Sequence, residues 1–281
     1  MNFVAKCFLL LPRRLALKLG ILLGILAFYI LRRRRKLALD NFNQALGKEY
    51  SPTEQKKIIK KVFINLGLTF VEFLRFAEIT KENLSEFVTF HGKENVDCVY
   101  AEKKGVLALT AHMGNWELLA ASISLSGINS GMLVKSAHQK FFDDFLTQQR
   151  TSKNLDLVSG KNSVKLIFKL LKAGTLLGVV IDQHGVGRDS VVVPFFGRPA
   201  STLKGLAILS ERTGCPVIPI YTYRDENLHH HVVFDPPIQH IGNSPESRTL
   251  QYNQWLESVI RQHPEQWMWT HNRWKTTPAS S

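Results

Sequence analysis

His112 and Glu117 stand in the stretch Ala111-His112-Met113-Gly114-Asn115-Trp116-Glu117, an imidazole and a carboxylate separated by four residues. Residues three or four apart share a helix face, whereas a step of five does not. The pair therefore reads as a loop histidine followed by a first-turn glutamate that folds back toward one ring nitrogen. A carboxylate so placed fixes the imidazole tautomer and stabilises its protonated form, which suits a general base acting on a hydroxyl. On spacing alone, a satisfied structural pair is the commoner meaning of this pattern. The surroundings decide.

Those surroundings alternate between strand and helix. Val106 to Leu109 predict a buried strand that delivers His112, and Trp116 onward predicts a helix opened by Gly114-Asn115. A second apolar run, Leu177 to Ile181, ends in Asp182-Gln183-His184, polar residues at the carboxyl end of a buried strand, where α/β sheets place their sites. A turn-rich third block, Val193 to Thr202, leads into a helix at Leu203, and Gly214 to Pro219 starts another strand. Further strands are expected over 87–90, 132–134, 155–158, 176–181, 217–223 and 231–234. Helices are expected over 93–102, 116–126, 141–150, 163–172, 203–213 and 247–262. Ser51-Pro52-Thr53-Glu54 is a capping box opening a longer helix to about Phe76. Strands separated by helices of this length imply an α/β fold with a mainly parallel sheet flanked by helices.

Charge divides the chain. Of a net +13, residues 1–39 supply nine Lys/Arg and no acid, so the rest carries only a small excess. Leu19 to Leu31 form an apolar run of 13 residues, short against the roughly 20 that cross a bilayer. Arg32 to Lys36 follow it directly, which suits a helix lying in or dipping into an anionic leaflet. Residues 1–39 are therefore expected to be a basic, apolar, membrane-associated helical segment and residues 40–281 the α/β domain. Gly20 and Gly24 could form a helix-packing face. Cys7, Cys98 and Cys215 have no paired spacing, so neither a disulfide framework nor a zinc site is expected. His229, His230 and His231 alternate along a strand and cannot all point at one metal. No nucleotide-binding glycine loop is present. Trp267, Trp269 and Trp274, with Arg273 and Lys275, suit either a lipid interface or a packed C-terminal element.

The blocks, in this order, resemble the bacterial lipid A biosynthesis acyltransferases, the lauroyl and myristoyl transferases, within the glycerolipid and lysophospholipid acyltransferase superfamily. The carriers of the likeness are His112-Met113-Gly114-Asn115-Trp116-Glu117, Asp182-Gln183, Val193 to Thr202, Pro264 to Trp269 with Arg273-Trp274-Lys275, and the Leu11-Pro12-Arg13-Arg14 start with its apolar helix. The resemblance implies a membrane-bound enzyme at the cytoplasmic face of a bacterial inner membrane. It would move an acyl chain from acyl carrier protein to a hydroxyl of a lipid A precursor, with His112 as base and Glu117 as its partner. Co-substrate acyl-ACP or acyl-CoA would suffice without a cofactor, and the thioester needs no acyl-enzyme; no Gly-x-Ser-x-Gly elbow is present. Gly114, Asn115 and Trp116, at a helix N-terminus, are candidates for the oxyanion hole. Arg188 and Arg198 are candidates to grip acceptor phosphates. Asp182 and Gln183 either order the site or bind sugar hydroxyls. Expected partners are acyl carrier protein, a glycolipid acceptor and anionic inner-membrane lipid, with no nucleic acid. Pro194-Phe195-Phe196-Gly197 replaces the Pro-Glu-Gly-Thr of the glycerophosphate branch, which argues against a plain lysophosphatidate acceptor. An acyl-CoA enzyme acting on another glycolipid, such as a phosphatidylinositol mannoside, or on a lysophospholipid stays open, as does a hydrolase using the same pair on water.

Overall fold

Four helices come first in the computed structural model: α1 (Phe3–Leu10), α2 (Arg13–Ile30), α3 (Arg32–Leu46) and α4 (Pro52–Leu74). The structure describes residues 3–101, 104–134, 140–159 and 163–275. The capping box forms as expected: the Ser51 hydroxyl accepts from the Glu54 amide, and Glu54 accepts from the Ser51 amide at 2.8 Å. Then follow β1 (Val88–His91), α5 (Glu94–Ala101), β2 (Val106–Thr110), α6 (Trp116–Leu125), β3 (Ser130–Leu133) and α7 (Lys140–Thr151). Next are β4 (Asp156–Val158), α8 (Ser163–Lys172), β5 (Leu176–Val180), β6 (Ser190–Phe195) and β7 (Arg198–Leu203). The chain continues through α9 (Gly205–Thr213), β8 (Val217–Arg224), β9 (His230–Phe234) and α10 (Pro245–Gln262).

Seven strands make one sheet in the order β1-β9-β8-β2-β5-β3-β4. All neighbours run parallel except β8 and β9, which a short turn joins; Asp225 accepts there from the Asn227 and His229 amides, both at 2.9 Å. β2 is buried at every position. Leu107 and Leu109 pack on one face with Ile167 and Leu171 of α8, and Ala108 on the other with Leu118 and Leu119 of α6. A strand covered on both faces is apolar nearly throughout, which is why it is legible as the run Val106 to Leu109.

The third block departs from expectation. Instead of a turn-rich lead into a helix it folds as an antiparallel ribbon, β6 on β7, closed by Phe196-Gly197 with φ of 51° and 70°. Two positive φ values make the mirror-type turn that matches strand twist. A phenylalanine accepts that conformation because its ring is buried against Trp269 and its amide donates to Glu257 at 2.7 Å.

Gly20 and Gly24 do form a packing face. A Cβ at Gly67 of α4 would lie 2.3 Å from the Gly20 carbonyl oxygen, and one at Gly24 would lie 2.5 Å from Ile64 Cα. The contacts are backbone, which cannot swing aside. Gly67→Leu is expected to destabilise the protein by about 3 kcal/mol in a denaturant titration. Gly205→Ala, in open space, should leave the midpoint unchanged. The opposite face of α2 presents Leu15, Leu22, Leu26 and Tyr29 at helical spacing, Leu22 being 50% exposed and Tyr29 55%. Among the described residues no single helix is long and apolar enough to cross a membrane; α2 and α3 form a pair bent by 88°. Arg35 holds that bend by donating to the Phe28 carbonyl at 2.9 Å, satisfying an orphan oxygen at the end of α2.

Candidate active site

β2 and β5 are adjacent and in register, Thr110 opposite Val180. Two residues further along each chain stand His112 and Asp182, so the parallel pairing alone brings them together beyond the carboxyl edge of the sheet. His112 Nδ1 lies 2.9 Å from Asp182 Oδ1, and the His112 amide donates to Oδ2 at 3.0 Å. Trp267 Nε1 donates to the same Oδ2 at 2.8 Å. Asp182 is only 2% exposed. Burial, the largest influence, would raise its pKa, but the His112 charge and the hydrogen bonds from His112 and Trp267 leave it below the ordinary carboxylate value. An ionised Asp182 takes the proton-bearing Nδ1 as donor, which leaves the lone pair on Nε2.

For His112 the largest influence, burial, pulls the pKa down. The Asp182 charge and hydrogen bond, with Glu117 behind them, outweigh it, and the ring ends above the ordinary histidine value. Gln183 lies across the imidazole, its amide nitrogen 3.5 and 3.4 Å from the two ring nitrogens. Near-equal distances to both place it over the ring face, too long and misdirected for a strong bond. Trp116 meets the ring edge-to-face at 5.1 Å.

The structure gives the ring-holding contact to Asp182, whereas sequence spacing points to Glu117. Glu117 is engaged elsewhere, in a two-point pair with Arg150 of α7 at 2.6 and 2.9 Å. A guanidinium fork matches both carboxylate oxygens at once, which a single imidazole nitrogen cannot do. Glu117 still acts on His112 through its charge, opposed by Arg150. Neither the Arg150 contact nor the Asp182 contact could be found by local spacing, because the partners lie 33 and 70 residues away.

One of the three oxyanion candidates is already occupied. The Gly114 amide donates to the Gln266 carbonyl at 2.9 Å, and φ of 56° with Thr222 O 2.3 Å from a virtual Cβ makes glycine obligatory there. Asn115 is fully buried as the cap of α6, its Oδ1 accepting from the Leu118 amide at 3.0 Å and its Nδ2 donating to Glu72 at 2.8 Å. Trp116, at the first position of α6, remains half-buried beside His112.

Glu72 is the hub behind this turn. It also accepts from Arg224 at 2.6 Å and pairs with His230 Nε2 at 3.0 Å. Burial opposes its ionisation, but the charges of Arg224 and His230 hold its pKa far below the ordinary value. Removing one member of such a group strands a buried charge. Glu72→Ala is expected to destabilise by about 3–5 kcal/mol at neutral pH, read by thermal or chemical unfolding.

Arg188 and Arg198 are not brought together. Arg188 is exposed just before β6, beside the Ser190–Leu203 pair, whereas Arg198 stands at the Phe195 pair by the turn. Five residue steps of ribbon separate those pairs, roughly 17 Å. Arg198 lies over the Trp274 ring at 5.4 Å.

The C-terminal segment is readable in the sequence as aromatic but not as part of the site. Met113 and Trp267 form a bridge, and the Met268 amide donates to the His112 carbonyl at 3.1 Å. α3 holds this strap from outside: Asn41 Nδ2 donates to the Trp269 and His271 carbonyls at 2.9 and 2.8 Å. Trp267 and Trp269 are buried, Trp267 with its indole nitrogen on Asp182. On β9 the histidines divide by strand alternation, His230 turning inward to Glu72 and His231 meeting His91 at 2.9 Å.

An apolar cleft opens next to His112. Trp116, Leu119 and Ile123 of α6 form one wall, and Ala108, Met132 and Gly178 of the sheet form the other, with Leu155 further in. It encloses about 40 Å³.

The sequence has relatives. A family model described as bacterial lipid A biosynthesis acyltransferase matches residues 1–276. The chain is 27% identical to the lipid A biosynthesis lauroyltransferase of Escherichia coli (strain K12), over 95% of this chain and 88% of that protein. It is 24% identical to the lipid A biosynthesis palmitoleoyltransferase of the same strain, over 93% and 85%. Among solved structures, the 1-acyl-sn-glycerophosphate (LPA) acyltransferase PlsC from Thermotoga maritima is similar with a TM-score of 0.43 at 14% identity, covering 84% of this chain and 98% of that one. With its family matched over nearly every residue, this acyltransferase belongs to the bacterial lipid A biosynthesis acyltransferase family.

Proposed function

We propose that this enzyme moves a fatty acyl chain from a thioester on acyl carrier protein to a hydroxyl of a lipid A precursor. The observation that carries the mechanism is the His112–Asp182 contact at Nδ1, which leaves Nε2 as the free base. Nε2 takes the proton of the acceptor hydroxyl as its oxygen attacks the thioester carbonyl. The tetrahedral oxyanion meets first-turn amides of α6 around Trp116, where no intrahelical acceptor exists. The intermediate collapses, the carbon–sulfur bond breaks, and the thiolate takes the proton back from Nε2. Products are the ester and the free carrier thiol, and no cofactor is needed.

Asp182 keeps the tautomer and balances the imidazolium; Glu117, held by Arg150, adds negative charge at a distance. The acyl chain occupies the cleft beneath Trp116. Gln183, over the ring, is placed to contact the acceptor, and Arg188 and Arg198 would meet separate anionic groups of it. The exposed apolar face of α2 and the basic start of α3 support attachment to an anionic leaflet at the cytoplasmic face of a bacterial inner membrane.

Mass spectrometry of lipids from a bacterium lacking the gene, complemented with wild type or His112→Ala, tests the reading. Lipid A short of one acyl chain, restored by wild type alone, is the expected result. Unchanged lipid A with an altered lysophospholipid or other glycolipid would discard the acceptor, and rescue by His112→Ala would discard the base.

A further inference from the structure

The outer face of α8 is a surface that the site does not use. Its sequence contains Lys165, Lys169 and Lys172 at steps of four and three, so all three lie on one face, and it contains no acid. Ile167 and Leu171 point the other way, into the sheet. Val164 and Phe168 stand one position before Lys165 and Lys169, and together these five side chains line an open groove of about 470 Å³. Among the described residues nothing covers this basic rim and its exposed apolar strip.

Topology places this groove within reach of the chemistry. β4, α8 and β5 form a parallel crossover, so α8 runs against the strands. Its start, Ser163 to Lys165, lies at the carboxyl edge from which His112 and Asp182 issue, and its end packs at the opposite edge, where a Cβ on Gly105 would be 2.5 Å from the Leu171 carbonyl. α8 lies against β5 and β4, one and three strands from β2, or about 5 and 14 Å sideways.

We infer that the α8 groove, through Lys165, Lys169, Lys172, Val164 and Phe168, docks the acidic protein that carries the acyl thioester. The inference rests on the acyl-transfer reading above and adds where the donor's carrier sits. Charge complementarity selects the occupant: three lysines without a neighbouring acid on the helix attract a negative surface and steer its approach. The broad exposed apolar face that suits a leaflet lies on α2 instead. Docking at the carboxyl edge lets the thioester arm pass over the rim toward His112, with the acyl chain entering beneath Trp116.

The test compares one acyl chain on two donors, the carrier protein and pantetheine, with wild type, Lys165→Glu/Lys169→Glu, and the milder Lys165→Gln/Lys169→Gln. Expected is a fall of at least about tenfold in kcat/KM for the carrier-linked donor, with a flattened salt dependence, while the pantetheine rate reports an intact site. The glutamine pair should give a smaller fall in the same direction. Equal rates for variant and wild type with the carrier-linked donor would overturn the inference, as would an equal fall with both donors. If sedimentation with phosphatidylglycerol vesicles is what falls, the groove is a membrane contact and the inference also fails. Wild type transferring from neither donor would overturn the acyl-transfer reading itself.

Discussion

Asp182→Asn is expected to lower acyl transfer at neutral pH by roughly 10²–10⁴-fold, with the acidic limb of the remaining activity moved to lower pH. Two consequences combine. The carboxamide carries no charge to balance the imidazolium that forms as His112 takes a proton. It can also turn its NH₂ toward Nδ1, which would then accept and leave the proton on Nε2, the wrong nitrogen for a base. In wild type, Asp182 holds the His112 pKa above the ordinary histidine value, so the neutral, active ring is reached only above that pH. Without that charge, burial is less opposed and the ring deprotonates earlier. A rate–pH profile for both proteins, alongside matched unfolding curves, checks this. An unmoved limb would show that Asp182 is not what sets the base. His112→Ala should lose as much activity and leave no limb to compare.

Gly178→Leu is expected to cut transfer of a long acyl chain by about 10²-fold while sparing a chain some four carbons shorter, at about 0.8 kcal/mol per buried methylene. A Cβ at Gly178 would meet only Gly131 O at 3.5 Å and Met132 Cβ at 3.8 Å, ordinary contacts, so the backbone accepts the change. The rest of the side chain then fills a cleft that encloses about 40 Å³. Gly178→Ala should be folded and active, with a modest bias to shorter donors. Competition between donors of two lengths, scored by product mass, separates a blocked cleft from general damage. Equal losses for long and short chains would place the acyl group elsewhere.

The elements around the site are mostly legible in the sequence, and the contacts within it are not. β2 and α8 announce themselves through burial: one carries an unbroken apolar run from Val106 to Leu109, the other is apolar at helical spacing, and α8 spans the residues expected, Ser163–Lys172. The ribbon of β6 and β7 hides behind Pro194 and Pro199, which face each other across it, and behind a phenylalanine where turns of positive φ favour glycine or asparagine. The aspartate on His112 is visible as a strand-end acid, but its role depends on the register of β2 against β5, which no short window contains. Glu117 looks like the imidazole's partner because it is near in sequence. Arg150 reaches it first, from a helix that follows another strand.

The strap that carries Trp267 has a consequence in time. Asn41, on α3, precedes the carbonyls it holds by more than 220 residues, so Asp182 lacks its indole donor through most of synthesis. α2 and α3 leave the ribosome early, with the apolar face of α2 already specified. Asp182 follows, facing water and short of one of its three donors. Only when the segment beyond residue 264 emerges does an indole cap it and a backbone bridge form beside the histidine, at Met113. The contacts that hold Asp182 are therefore completed in one late step, long after the helix with the exposed apolar face has been made.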